Sequence, residues 1–313
     1  MNNPLQQDLK HQLVLIDGTR WVIVASNQNA EAIVSRLSDA MQLCGATMTG
    51  TGEPSHHGIV RRLFVLIDAH NPDAFPAKLY VLLPGEDESC VVCSLRSFTH
   101  SDGLYIQLVG LSSIIAQEIQ TRGGILLHGA LAEKDGIGVI LAAPGGTGKS
   151  TASARLPAPW HSRCDDATLV VRDSQGNYWA HPWPTWSRFQ GEGVGGSWDV
   201  QKAVPLKGIF FLSQALDDRV ESVGPGHAVS MLVECAGQTP QIMTRGVSKE
   251  EASVLHLERF NNLCALARVI PTHVLHLSLT GTFWQQIDQM LERSSATRDL
   301  RRKREQPVSH QIA

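Results

Sequence analysis

Apolar residues along this chain fall into short runs separated by Gly, Asp and Pro, and the period of each run predicts an element. Residues 12–16 and 21–24 are apolar and β-branched, with an Asp17-Gly18 turn between them, and predict a hairpin. Between residues 30 and 43, Ile33, Leu37 and Met41 recur at helical spacing. Residues 45–57, rich in Gly, Thr and Ser, predict a loop. Strand-like runs follow at 63–67, 79–83 and 90–95. Further on, residues 111–120 predict a helix and 124–131 a strand, and Lys134-Asp135-Gly136 turns the chain into a second strand at 137–142. Residues 157–164 show no strand pattern, whereas 167–171, 207–212 and 274–279 do. Ser248 and Glu251 have the spacing of a capping box opening a helix to about Arg268. Residues 283–291 predict a last helix, and no internal repeat is visible.

These elements predict an α/β protein with a mixed, twisted sheet. An N-terminal α/β module covers residues 1–115, a second domain 116–297, and a polar, basic tail expected to fray covers 298–313. The 313 residues are 42% hydrophobic and 18% charged, enough for a buried core. A net charge of −3 gives no basic field for nucleic acid or an anionic membrane. No apolar run approaches the ~18 residues of a membrane helix, and the N-terminus lacks signal-peptide features, so a cytoplasmic protein is expected. Cys90 and Cys93 form a C-x-x-C, but no second ligand pair follows at zinc-finger spacing, and they read as strand residues.

Chemistry enters at Gly145-Gly146-Thr147-Gly148-Lys149-Ser150-Thr151, between an apolar strand and a helix-prone stretch. Glycines there let backbone N–H groups curl around phosphates. Lys149 would reach the β- and γ-phosphates of ATP, and the Ser150 hydroxyl would coordinate Mg²⁺. Ala143 stands where this motif usually opens with glycine. Asp165-Asp166 lies only roughly 15 residues beyond Lys149 and opens an apolar strand rather than closing one. That placement argues against the GTPase, RecA and ABC plans. Two adjacent carboxylates there can divide the labour, one holding Mg²⁺ and one accepting the proton of an attacking hydroxyl.

The run from His128-Gly129 through Asp135-Gly136, the G-x-G-K-S loop and Asp165-Asp166 resembles the catalytic domain of HPr kinase/phosphorylase. The likeness covers about residues 124–172. Outside it, Asp17-Gly18-Thr19-Arg20-Trp21, Val204-Pro205-Leu206, residues 259–264 and residues 279–284 resemble the HPr-kinase-like proteins of peptide-modification cassettes called SynChlorMet cassette proteins. The resemblance implies a phosphate loop on a phosphoenolpyruvate-carboxykinase-like fold. It implies Lys149 on phosphate, Ser150 on magnesium, Asp165 as catalytic base, Asp166 as its metal-side partner and His128 near the transferred phosphoryl group. His128 also fits an ordinary strand histidine. HPr kinases carry an Arg-Gly-Leu-Gly signature, and here the comparable region reads Arg188-Phe189-Gln190-Gly191-Glu192-Gly193-Val194-Gly195-Gly196. It is Gly-rich like a mobile flap but departs from the signature, so neither phosphorylase activity nor HPr as substrate is implied.

Smaller signals have two readings each. The His181-Pro182-Trp183-Pro184-Thr185-Trp186 patch suits packing at a strand edge, or a wall for a base or peptide. Arg188 suits a phosphate clamp or a stacked surface residue. Arg301-Arg302-Lys303-Arg304 suits a solvated helix end or a site for an acidic partner. Two functions are therefore expected. The first is an ATP- and Mg²⁺-dependent serine-type kinase acting on a peptide or small protein. The second is a nucleotide-binding accessory protein of the same pathway. A small-metabolite acceptor is a third, and a homo-oligomer follows only by analogy.

Overall fold

The computed structural model describes residues 10–45, 59–68, 80–84, 89–97, 102–191, 193–237 and 248–305. Strands β1 (Lys10–Val14) and β2 (Arg20–Ala25) form the expected hairpin, with Val14 facing Arg20. Its turn is held by Thr19, whose N–H and hydroxyl both donate to the Asp17 carboxylate, at 2.9 and 2.6 Å. Helix α1 (Gln28–Met41) starts at Asn27, whose carboxamide oxygen accepts the Ala30 N–H at 3.0 Å. The same side chain donates to Ile67 O at 3.0 Å, which ties the helix start to β4 (Val60–Asp68). With β3 (Cys44–Gly45), β5 (Tyr80–Pro84) and β6 (Cys90–Arg96), these strands make a sheet in the order β3-β1-β2-β4-β6-β5. Its β2–β4 and β4–β6 pairs are parallel and the others antiparallel. Cys90 and Cys93 lie buried in β6, as free thiols. Most of the predicted 45–57 loop, residues 46–57, and residue 79 lie outside the described residues.

Helix α2 (Gly103–Gln120) begins eight residues earlier than the pattern of 111–120 suggests and runs across residue 115. It links the first sheet to a second, built from β7 (Ile125–Lys134), β8 (Ile137–Ala142), β9 (His161–Cys164), β10 (Ala167–Arg172), β11 (Tyr178–Trp183), β12 (Val204–Gln214), β13 (Arg219–Ser222) and β14 (Thr272–Leu277). The order is β11-β10-β7-β8-β12-β14-β13, with β9 alongside β7. The sheet curls until β11 also meets β12, at Trp179 opposite Pro205 and Ala180 opposite Val204. Strand β12 runs parallel to both β8 and β14, and its middle is buried on both faces, as a central parallel strand requires. The molecule is thus a mixed α/β protein with two mixed sheets and six α-helices among the described residues.

Two expectations are corrected, and one helix was unforeseen. Residues 157–164 contain a strand after all, since His161–Cys164 pairs with β7. Helix α4 (Pro225–Gly237) carries no counterpart in the sequence reading. Helix α6 (Phe283–Glu305) continues well past residue 291, so 298–305 are helical, while residues 306–313 lie outside the described residues. Helix α5 (Lys249–Val269) opens on the predicted capping box, with Ser248 Oγ accepting from Glu251 N–H at 3.1 Å and Glu251 Oε2 accepting from Ser248 N–H at 2.8 Å. One large core runs through both sheets, joining Trp21 and Leu37 to Leu111 and Trp183. A smaller one, around Phe210, Phe283 and Trp160, lies with α6 and the short helix α3 (Lys149–Ala154). Each fully buried Phe there contributes on the order of 2–3 kcal/mol.

Candidate functional site

Strand β8 is buried through Ala142, and Ala143 is equally inaccessible. The chain must then leave the parallel part of the sheet at the carboxyl end of a strand, where open α/β sheets place their ligands. It does so through Pro144–Gly148. Gly146 and Gly148 have φ of +77° and +106°, values that side-chain-bearing residues rarely adopt. The first α-helical hydrogen bond of α3 is Ala152 N–H to Gly148 O, at 2.8 Å. The N–H groups of Lys149, Ser150 and Thr151 therefore precede the helical ladder. Lys149 folds back, donating from Nζ to Ala143 O at 2.8 Å and Pro144 O at 3.3 Å. Burial pushes its ammonium pKa down, and the charge of Asp166 partly offsets this.

The acidic pair owes its position to register along β7. Cys164 of β9 faces Leu131 and Ala167 of β10 faces His128, three residues apart on both sides, so β9 and β10 follow one line along β7. Asp165-Asp166 interrupts that line opposite Gly129-Ala130. Thr168 Oγ1 donates to Gly129 O at 2.8 Å and pins the strands beside the break. A Cβ on Gly129 would come within 2.6 Å of Ile140 Cγ2 and 3.3 Å of Leu141 O, so only glycine lets β7 pass this close to β8.

From that break the two carboxylates meet different partners. Asp166 Oδ1 lies 3.0 Å from His128 Nε2. Asp165 accepts from Thr185 Oγ1 at 2.6 Å and from Arg188 Nη2 at 2.8 Å. Burial pushes the Asp165 pKa up, but the bonds from Thr185 and Arg188 and the Arg188 charge outweigh it and hold the carboxyl below its ordinary value. Arg188 also lies over the Trp198 ring, 5.7 Å from its centroid. The Gly-rich stretch behind it is not a free flap: Gly193 N–H donates to Gln190 O and Gly195 N–H to Arg188 O, each at 2.9 Å.

Two cavities flank these groups and share no lining residue. One, of about 580 Å³, is bounded by Gly146, Thr147, Gly148, Thr151 and Arg155 with the Gln214–Leu216 segment. The other, of about 230 Å³, includes His128 and Asp166 together with Tyr105, Ser113, Trp183 and Trp186. Burial, and then the charges of Asp166 and Asp102, raise the Tyr105 pKa, so its phenol stays protonated at neutral pH.

Of the sequence-predicted residues, His128 and Asp166 are in direct contact and Asp166 lies within electrostatic range of Lys149. Asp165 is turned to Thr185 and Arg188. Gly145 and Gly146 lie on the exposed rim of the loop, and Thr147, Gly148 and Thr151 face the larger cavity. Ser150 is exposed on the first turn of α3, and none of the described hydrogen bonds joins it to either aspartate. Tyr105 and Ser113 were not anticipated, whereas Thr185, Trp183 and Trp186 belong to the 181–186 patch that the sequence offers as packing or as a wall. Ser112-Ser113, a polar pair inside the otherwise apolar stretch 108–116 of α2, is the legible signal for that wall. Among the described residues no three His, Cys, Asp or Glu side chains converge on a metal position. Mg²⁺ needs only one or two carboxylates alongside phosphate oxygens and water, so the residues present fit a nucleotide-borne ion.

Fold and site together define a two-sheet mixed α/β protein whose parallel strand ends in a glycine-rich loop with a buried lysine, across from an acidic pair and a histidine. The chain belongs to the SynChlorMet cassette protein ScmC family, whose model matches residues 91–292. That span starts in β6, ends in α6 and includes every residue of both cavities. No match was found among curated proteins. Among the described residues no helix is long and apolar enough to cross a membrane.

Proposed function

We propose that this chain is an ATP- and Mg²⁺-dependent phosphotransferase of the HPr-kinase-like, phosphate-loop type, acting on a hydroxyl of a peptide or small protein within a peptide-modification cassette. The observation that carries this reading is the buried Lys149 of the glycine loop, within the electrostatic influence of Asp166, which is itself paired with His128 at 3.0 Å in the wall of the smaller cavity. The loop N–H groups and Lys149 would hold the phosphates, and the larger cavity the rest of the nucleotide. Mg²⁺, held through Ser150, a carboxylate of the pair and the phosphates, would offset phosphate charge.

In the transfer step the acceptor oxygen bonds to the γ-phosphorus, and the bond to the β,γ-bridging oxygen breaks. ADP leaves with that electron pair, and the acceptor proton passes to a carboxylate. Asp166 suits that proton better than Asp165, because it lines the acceptor-side cavity and His128 can orient it. Asp165, engaged by Thr185 and Arg188 and held below its ordinary pKa, suits positioning. This reverses the division that the family resemblance suggests.

A second reading, an ATP-binding accessory protein with little turnover, is favoured by the Arg188–Asp165 ion pair, which neutralises one of the two carboxylates. The two separate by measuring ATP binding calorimetrically and transfer of labelled phosphate to peptides encoded beside the gene. For the kinase, Lys149→Ala should lose ATP binding by ten-fold or more. Asp166→Asn should keep ATP and lose transfer by roughly 10²–10⁴-fold, and Asp165→Asn should lose less. If wild type binds ATP but labels no acceptor, and both Asn variants behave like it, the accessory reading replaces the kinase.

A further inference from the structure

The larger cavity lies where three neighbouring strands end. Strands β8, β12 and β14 run parallel and side by side, so all three release the chain on the same edge of the sheet. Strand β8 leads into the glycine loop. Gln214 of β12 pairs with Leu277 of β14, and two residues beyond each stand Leu216 and Leu279. Both line the cavity together with Thr147 and Gly148, and both are open, with 95% and 85% of their surface exposed. Single exposed leucines are ordinary, but two at matching positions on one cavity wall make an apolar face that the protein itself leaves uncovered. The turn that carries Leu279 is firmly tied. Arg155, next after α3, donates from Nη1 to Ser278 O at 2.7 Å and from Nη2 to Gly281 O at 2.6 Å. Asp218 Oδ1 accepts the Ser278 N–H at 2.6 Å, and a Cβ on Gly281 would collide with that carboxylate. The residue that follows the phosphate-loop helix therefore sets where Leu279 stands relative to the loop. A ligand anchored by phosphate on the loop N–H groups extends into this cavity, whose volume of about 580 Å³ is that of an ordinary small-molecule site. Among the described residues no Asp, Glu or Asn lines it. Arg155 is committed to its two carbonyls, and Gln214 Nε2 donates to Thr147 O at 3.4 Å.

We propose that Leu216 and Leu279 form a nucleobase platform, which holds the base by apolar contact and does not distinguish adenine from guanine. This rests on the nucleotide reading of the glycine loop and deepens it: the triphosphate lies on the loop and the base covers the two leucines. Apolar contact is indifferent to the donors and acceptors on a base edge. Telling adenine from guanine takes a side chain that hydrogen-bonds one pattern and is left unpaired by the other, and the polar side chains of this wall are engaged with the protein's own backbone.

The test uses the full-length protein with Mg²⁺ and isothermal titration calorimetry of ATP, GTP and methyl triphosphate, which keeps the triphosphate and lacks the nucleoside. Wild type should bind ATP and GTP within about three-fold of each other, and methyl triphosphate about ten-fold more weakly or worse. The double variant Leu216→Ala/Leu279→Ala should weaken ATP and GTP by about ten-fold and leave methyl triphosphate unchanged. Both side chains are exposed, so the urea midpoint of this variant should match wild type. Leu216→Met/Leu279→Met, which restores apolar area, should bind ATP like wild type. Lys149→Ala should weaken all three ligands together. Equal affinity of wild type for ATP and methyl triphosphate overturns the platform. So does a double alanine variant that binds ATP normally, or that loses methyl triphosphate in step with ATP. A preference between ATP and GTP above about ten-fold overturns the indifference to the base. Methyl triphosphate that binds through Lys149, with ATP gaining nothing over it, retains the phosphate site of the loop and loses the platform. Failure of all three ligands to bind overturns the nucleotide reading and the platform with it. Leucine-dependent ATP binding without phosphate transfer keeps the platform and loses the kinase.

Discussion

Asp165 and Asp166 are neighbours in sequence, in the bend between β9 and β10, and their carboxylates meet different partners. That single fact separates a carboxylate tied to Arg188 from one open to the acceptor cavity. The tie has a thermodynamic consequence. Because the folded pKa of Asp165 lies below its ordinary 3.8, the pair stabilises the fold above that pH and the contribution is lost as pH falls through the folded value. Arg188 is about half exposed, 49% by side-chain area, so solvent screening keeps the effect under about 1 kcal/mol. Urea midpoints for wild type and Asp165→Asn should therefore differ slightly at neutral pH and converge as pH falls below 3.8 through the folded pKa. A gap that is constant with pH would show that the charge is not what Arg188 stabilises. The chemistry-bearing residues at this scale were largely legible, because G-x-G-K-S and Asp-Asp are local patterns. Their partners were not: Thr185 and Arg188 reach Asp165 from 20 and 23 positions away, and nothing local in their neighbourhood encodes that.

The elements that place the site depend on β7, which pairs with β10 along its first half and with β8 and β9 along its second. Sequence pattern revealed β7, β8 and β10 because they are apolar and buried. It missed β9, whose four residues His161-Ser162-Arg163-Cys164 include only one fully buried position and show no alternation. It also missed α4, whose apolar run is short and opens on Pro225-Gly226, residues that read first as a turn. Gly129 sits where β7 passes between its partners, so a methyl there must displace Ile140 or move the strand. Gly129→Ala should cost about 1–3 kcal/mol by overpacking, read from the urea midpoint. It should also disturb the adjacent His128–Asp166 contact, lowering transfer more than ATP affinity. Unchanged stability together with unchanged transfer would mean that the β7–β8 approach relaxes freely and does not position the site.

At the scale of the whole molecule, the N-terminal sheet is fastened to the site-bearing sheet through the segment that follows Arg188. Trp198 donates its backbone N–H to Ala40 O of α1 at 2.8 Å while its ring underlies Arg188. Gln201 Oε1 accepts from Val14 N–H at 3.1 Å. On another side Arg122 donates to Thr19 Oγ1 at 2.8 Å and to Glu118 Oε1 at 2.7 Å, linking the first hairpin to α2. The N-terminal module, which has no legible chemistry of its own, thus buttresses the Arg188–Asp165 pair. His181 is a titratable group at this junction, near Asp17. Fully buried in β11, it donates from Nδ1 to Val200 O at 2.7 Å, which leaves Nε2 to accept the Ile16 N–H at 3.5 Å. Burial pushes its pKa down to about 4 from 6.5, against smaller upward pulls from the Val200 bond and Asp17. Between those values the unfolded chain binds the proton and the folded one does not, so stability is full above 6.5 and falls as pH drops toward 4. The loss is up to about 3 kcal/mol. His181→Gln removes the titration but keeps a polar side chain. The variant should be the less stable protein at neutral pH, and the two stability curves should converge between pH 6.5 and 4 as only wild type loses this contribution. His11 and His273, whose pKa values burial also lowers, are present in both proteins and cancel in the difference. Parallel curves across that window would mean that the junction opens before His181 is protonated, and that the two sheets separate without unfolding.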